Sequence, residues 1–173
     1  MVVSTVDEVR TIGGTCIRYN VLSNYLFTSE KRKKFQEVLV PGCFDISLGT
    51  RDVIATVDHN DAYLLGRLGN GSLKLFPSET QIDIELLPAN TTYGRDLIVC
   101  IERQDIQGMS FAFDVLRDEW EMVGDLPVRK VLQAELYEVS FVAMPAYPET
   151  SVDLRSIYNA RVDKRRRYLN LRG

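Results

Sequence analysis

The run from residue 128 to 144 constrains this chain more than any other stretch. It is long, apolar and rich in β-formers, and Pro145 and Pro148 stop it. Side chains alternate between faces along a strand. Leu136, Glu138, Ser140 and Val142 then share one face, while Tyr137, Val139 and Phe141 take the other. Large apolar residues stand on both faces, so the strand is expected to be covered on both sides. Shorter segments of the same character surround it, at 15–27, 36–40, 52–58, 63–67, 73–76, 81–87 and 109–116. Gly69-Asn70-Gly71-Ser72 reads as a hairpin turn between 63–67 and 73–76. Helices are few. Residues 42–49 fit a short helix or a strand, and Thr91-Thr92 can cap a helix over 93–104 whose Leu97, Cys100 and Ile101 form one buried stripe. The tail from Val152 is expected to be helical. The fold class is therefore α+β and β-dominated, a barrel or a sandwich with two or three helices.

Composition narrows the function classes. With 173 residues and 45% apolar content the chain suits one domain with a real core. No apolar run approaches the length of a spanning helix. Residues 1–10 lack a basic start followed by an apolar stretch, so no secretory signal is expected. Cys16, Cys43 and Cys100 are odd in number and widely spaced, with no C-x-x-C pair. A disulfide framework or a structural zinc site is not expected, and reduced thiols in a cytosol are the simplest reading. The formal net charge of −3 excludes a nucleic-acid binder held by bulk charge. That charge is uneven. Seven Lys or Arg against two Asp leave residues 151–173 with a net of +5, peaking at Lys164-Arg165-Arg166-Arg167, so the first 150 residues carry −8. The tail reads as a solvated end, or as a docking or removable segment that meets an acidic partner or nucleic acid. Lys31-Arg32-Lys33-Lys34 reads as an exposed loop.

His59 is the only histidine, which excludes any mechanism needing two. By strand alternation it shares a face with Val53, Ala55 and Val57. Ser110 shares a face with Ala112 and Asp114, opposite Met109, Phe111, Phe113 and Val115, and Gly108 beside it would let a substrate backbone approach. Glu138 stands on an apolar strand, where a carboxylate costs several kcal/mol unless it is paired. These three residue types suit acyl transfer. His59 would take the proton of Ser110 as general base and return it to the leaving amine, Glu138 would hold the imidazole, and backbone N–H groups near 108–110 or elsewhere would stabilise the oxyanion. Each residue also has an ordinary reading: a structural His, a small core filler, and a Glu paired with Arg129 or Arg117. Cys43 or Cys100 as nucleophile is a weaker arrangement, since a buried thiol is hard to ionise. Asp58 and Asp61 flank His59, but neighbours at a strand end point to different sides, which disfavours a metal site.

Four blocks, in order, carry a resemblance. Phe35-Gln36-Glu37-Val38-Leu39-Val40-Pro41-Gly42-Cys43-Phe44 fits F-x-E-x-x-x-P-G-[AC]-F. Asp58-His59-Asn60 with Leu65-Gly66-Arg67 fits N-H-D…L-G-R, with Asp and Asn exchanged around the His. Gly108-Met109-Ser110-Phe111-Ala112-Phe113 fits G-M-S-F-x-F and is followed by Trp120. Leu136-Tyr137-Glu138-Val139-Ser140-Phe141-Val142 with Pro145-Ala146-Tyr147 fits L-x-E-V-S-x-V…P-A-Y. The chain resembles the prohead (capsid maturation) serine proteases of tailed bacteriophages over roughly residues 9–152.

The resemblance implies a fold similar to the herpesvirus assemblins, a β-barrel surrounded by a few helices. It implies Ser110 as nucleophile, His59 as base and Glu138 as third member, with Glu135 the weaker choice on the opposite face. The assemblins carry a second His at the third position, which this chain lacks. Basic residues that often precede the G-M-S block are replaced by Gln104-Asp105-Ile106-Gln107. The implied function is a serine endopeptidase that cuts scaffold, or the scaffolding domain of the major capsid protein, and itself, inside the assembling procapsid in the host cytoplasm. The implied organisation is a protease domain over 1–150 and a basic tail over 151–173. The partners are capsid and scaffold proteins and further copies of the chain, without membrane, cofactor or metal, and with nucleic acid reached only through the tail. The alternative is a non-enzymatic capsid- or scaffold-binding module on the same fold.

Overall fold

Two strands meet along almost their whole length and organise the rest. In the structure, a computed structural model that describes residues 9–27 and 33–157, they are the two longest strands among the described residues. The elements run β1 (Val9–Arg18), β2 (Leu26–Phe27), β3 (Lys34–Leu39), α1 (Asp45–Thr50), β4 (Ile54–Val57), a 3-10 turn (Asp61–Tyr63), β5 (Gly66–Arg67), β6 (Leu73–Pro77), β7 (Gln81–Leu86), α2 (Thr92–Glu102), β8 (Gly108–Val123), β9 (Leu126–Val142) and β10 (Asp153–Ile157). Strands β8 and β9 form a long antiparallel hairpin. On its other edge β9 takes two parallel partners in succession. Residues 128–131 pair with β3 and residues 138–141 pair with β4. Helix α1 fills the gap between them. There the N–H of Ala134 donates to the Cys43 carbonyl and that of Leu136 donates to the Ser47 hydroxyl, so the buried ladder has no orphaned donor at those positions.

The second sheet is antiparallel, in the order β10-β1-β7-β6. Its β7 buries Ile82, Ile84 and Leu86 at every second position, the pattern of a strand with one wet face. The inner faces of the two sheets share one apolar core that includes Ile12, Ile17, Leu39, Phe44, Leu136, Val139 and Phe141. The fold is thus α+β and β-dominated, as expected. Among the described residues the strands pair as two sheets and close no ring.

Several local expectations are corrected. Residues 15–27 are not one strand: Asn20 adopts a left-handed backbone (φ 58°) and turns the chain between β1 and β2. The 69–72 turn does not close a hairpin, because β5 pairs with β4 and β6 pairs with β7. The short helix over 42–49 is α1, beginning at Asp45 with Phe44 as its cap. Helix α2 is capped as anticipated, with the Thr91 hydroxyl accepting the Gly94 N–H at 3.2 Å. Leu97 and Ile101 of its stripe are buried, whereas Cys100 is half-buried. Residues 153–157 are a strand paired with β1, not a helix. The basic cluster at 164–167 lies outside the described residues, as do Lys31 and Arg32 of the other one.

A partly buried polar cluster ties the first sequence block to the last. Glu37 on β3 accepts the Tyr147 hydroxyl at 2.7 Å and Arg129 Nη1 at 3.4 Å. Arg129 Nε donates to Asp118 Oδ2 at 2.6 Å, and Trp120 Nε1 donates to the same oxygen at 3.2 Å. Burial pushes the Glu37 carboxyl above its ordinary value of 4.5, against the opposing pull of Tyr147 and Arg129. A raised carboxyl favours the folded state when protonated. Its contribution is complete below the unfolded value and is lost as pH rises through the folded one. The Tm difference between Glu37→Gln and the parent is therefore expected to move in the variant's favour as pH is raised from 4 to 7. A constant difference in thermal melts across that range would refute it.

Candidate active site

The three chemistry-bearing stretches lie on adjacent strands. Ser110 of β8 is directly opposite Ser140 of β9, and Thr56 of β4 flanks Ser140 on the other side. Ala112, Glu138 and Ile54 form the neighbouring row. Ser110, Ser140, Thr56 and Glu138 therefore share one face of the sheet, away from Met109, Val139 and Phe141 in the core.

Strand β9 reaches this arrangement through an irregularity. Ala112 is opposite Glu138 but Phe113 is opposite Leu136, so Tyr137 is an extra residue in the ladder. The expected alternation breaks there. Leu136 and Val139, three apart, both enter the core, and Leu136 does not share the face of Glu138 as strict alternation implied. Glu135 consequently stands on the outer side with Glu138 but is engaged by Arg51, and it is not among the partners of His59.

His59 arrives by a different route from the one alternation implies. Strand β4 ends at Val57, and Asp58 and His59 both take left-handed backbone conformations (φ 52° and 53°). Such conformations cost about 1–2 kcal/mol for a residue with a β-carbon. Here they swing the imidazole off the Val53, Ala55 and Val57 face and onto that of Thr56, Glu138 and Ser140. His59 Nδ1 lies 2.9 Å from Glu138 Oε2. Local bonds hold the turn: Asp58 N–H donates to the Phe141 carbonyl at 3.1 Å, His59 N–H to Ser140 Oγ at 2.8 Å, and Asn60 N–H to the Val57 carbonyl at 3.1 Å. Asn60 then caps the 3-10 turn, its Oδ1 accepting the Ala62 N–H at 3.0 Å. This accounts for the Asp–Asn exchange around the His. Position 58 needs tolerance of left-handed backbone and position 60 needs a capping oxygen, and Asn and Asp supply both.

The carboxylate is well satisfied for its burial. Glu138 is 6% exposed, while the imidazole is 39% exposed at the surface of the site. Thr56 Oγ1 donates to Glu138 Oε1 and lies 3.1 Å from Ser140 Oγ. Among the described residues no Lys or Arg pairs with Glu138; Arg129 is engaged by Glu37 and Asp118. The sequence alone does not mark Thr56 and Ser140 as site residues. Ser140 had a signal, two residues from Glu138 on the same face, and Thr56 is the polar residue of an otherwise apolar strand.

The structure brings His59 and Glu138 into contact and sets Ser110 one strand away. It does not join Ser110 to the ring. Among the described residues neither Ser110 Oγ nor His59 Nε2 makes a hydrogen bond. Gly108 has a different role from the one anticipated. A β-carbon there would meet Pro145 Cγ at 2.8 Å and Thr150 Oγ1 at 3.0 Å, so the loop after β9 occupies the space assigned to a substrate backbone. That loop also takes the Met109 N–H, which donates to Thr150 Oγ1 at 3.0 Å. The Phe141 carbonyl points to β4, so by the alternation of an antiparallel ladder the Ser110 N–H faces its partner Ser140. The N–H groups of Met109 and Ser110 are thus engaged and do not point into open space as the oxyanion donors expected near 108–110 would.

The competing nucleophiles fare differently. Cys43 is buried and its thiol is pushed up to about 12, and burial also raises that of Cys16. No cysteine is among the partners of His59. Among the described residues no three His, Cys, Asp or Glu side chains gather as metal ligands, and no helix is long and apolar enough to cross a membrane. No curated protein and no solved structure matches the chain. A family model does match, that of the caudovirus prohead serine proteases (Peptidase_S78), over residues 1–164. With nearly the whole sequence covered by that match, the chain belongs to the caudovirus prohead serine protease family.

Proposed function

We propose that Ser110, His59 and Glu138 form the catalytic triad of a capsid-maturation endopeptidase. The family acts within the assembling procapsid on capsid protein. The observation that carries the assignment is the 2.9 Å contact between His59 Nδ1 and Glu138 Oε2 beside the strand that bears Ser110. A carboxylate can only accept, so Nδ1 is the protonated nitrogen and Nε2 is left as the base. Ser110 attacks the scissile carbonyl as Nε2 takes its proton, and the imidazolium returns that proton to the leaving amine. Water then enters and the same base releases the acyl group. Glu138 supports the positive ring in both halves. The open link between Ser110 and His59 closes with substrate, as catalytic hydrogen bonds often do.

The substrates are scaffold, or the scaffolding domain of the major capsid protein, and the chain itself. The basic tail over 151–173 is a docking or removable segment, and the working form is a homo-oligomer. Co-expression with capsid and scaffold proteins, read by mass spectrometry, tests this. The parent is expected to shorten its substrate and its own C-terminus, and Ser110→Ala to leave both intact. Processing by Ser110→Ala at the parental rate would overturn the triad. A stable capsid complex with no cleavage by the parent would favour the binding module instead.

A further inference from the structure

We infer that Ser140 and Thr56 are positioning residues of this site, a two-hydroxyl relay that locks the His59 turn to the Glu138 carboxylate. The inference deepens the triad reading and rests on it for its catalytic meaning. Its structural basis is a count of protons. Four groups form a closed circuit: the His59 backbone N–H, Ser140 Oγ, Thr56 Oγ1 and Glu138, which returns to His59 through Nδ1. Each hydroxyl has one proton to give. Thr56 gives its proton to Glu138 Oε1, because a carboxylate cannot donate. The 3.1 Å contact between the hydroxyls then requires Ser140 to donate to Thr56. Ser140 Oγ in turn accepts the His59 N–H. Every bond runs in one direction, toward the carboxylate.

Ser140 and Thr56 are both fully buried, so neither hydroxyl can exchange its protein partner for bulk water. Two buried hydroxyls paired only with each other would leave one proton without an acceptor. These two instead fix the two quantities a triad histidine depends on. Ser140 holds the backbone of a residue in a left-handed conformation, and Thr56 fixes one carboxylate oxygen so that the other faces Nδ1. Removing either hydroxyl leaves the ring's direction and its tautomer unpinned.

Because His59 is the sole histidine, histidine-selective 15N labelling gives one imidazole to watch. The full chain is expected to show a protected Nδ1–H proton signal, unchanged in Ser110→Ala. Thr56→Val, which keeps the branched shape, and Ser140→Ala should lose or broaden it, and Thr56→Ser should restore it. Labelling of Ser110 by an alkyl fluorophosphonate should slow on the order of 10²-fold in the first two and recover in Thr56→Ser. Circular dichroism and thermal melts establish which variants fold; if Ser140→Ala does not, the isosteric Thr56→Val decides. A folded Thr56→Val with the parental imidazole signal and labelling rate overturns the relay, as does absence of the signal in the parent. An imidazole signal that responds to these changes in a protein whose Ser110 is never labelled keeps the relay and removes Ser110 as nucleophile.

Discussion

Alanine at Ser110, at His59 or at both positions is expected to lower capsid-protein cleavage by nearly the same factor, on the order of 10⁶. The reason is that in the proposed triad nucleophile and base act as a unit. Without the hydroxyl the base has no proton to take, and without the base the hydroxyl is a poor nucleophile, so the second change removes little that the first has left. Glu138→Gln should cost less, on the order of 10⁴, because hydroxyl and ring survive while the amide presents the wrong partner to Nδ1. The folds should survive. Ser110 Oγ makes no hydrogen bond among the described residues, and the imidazole stands at the surface. The measurement is kcat/KM on a capsid-protein fragment spanning a mapped cleavage site, for the parent, the single variants and the double variant. Losses at Ser110 and His59 that simply multiply would show two independent contributions, and the shared proton transfer would have to be abandoned.

How far the sequence reveals this site depends on what kind of information each part needs. Strand character and burial follow from side-chain chemistry, which is why the first half of β8, β9 and the capped α2 are legible from alternation and from Thr91, whereas the exposed second half of β8, up to Val123, is not. The placement of Met109, Phe111 and Phe113 toward the core follows from the same rule. Backbone handedness does not. Nothing in Val57-Asp58-His59 announces two consecutive left-handed residues, so alternation puts the ring on the wrong face of β4. The extra residue at Tyr137 is hidden in the same way, and it alone reverses the relation of Leu136 to Glu138. Long-range partnership is a third kind. That Arg129 pairs with Glu37 rather than Glu138, and that Pro145 and Thr150 cover Gly108, depends on which segments the topology brings together. The motif blocks point to His59 and Glu138, and only the fold shows the bonds by which those two meet.

Phe44→Ala is expected to produce the largest loss of stability, about 3–5 kcal/mol. Phe44 is fully buried, and its ring meets Phe113 at 5.5 Å and Phe111 at 6.3 Å, both edge-on. Phe111 and Phe113 stack at 5.6 Å, and Phe111 also packs on Tyr147 at 4.8 Å. Removing the central ring opens a cavity that stiff neighbours on β8 cannot fill, and it ends edge-to-face contacts worth more than their buried area. For a chain of this size the melting temperature should fall by roughly 10 °C or more. Phe44→Leu, which keeps most of the volume, should cost under about 1.5 kcal/mol. Phe111 flanks Ser110 on the same strand, so the cavity also loosens the strand that sets the proposed nucleophile against Ser140. Cleavage by Phe44→Ala should therefore drop at temperatures where circular dichroism still reports a folded protein. A melt within about 1 kcal/mol of the parent would show that the cluster closes around the loss, and β8 would then owe its position to its pairing with β9 alone.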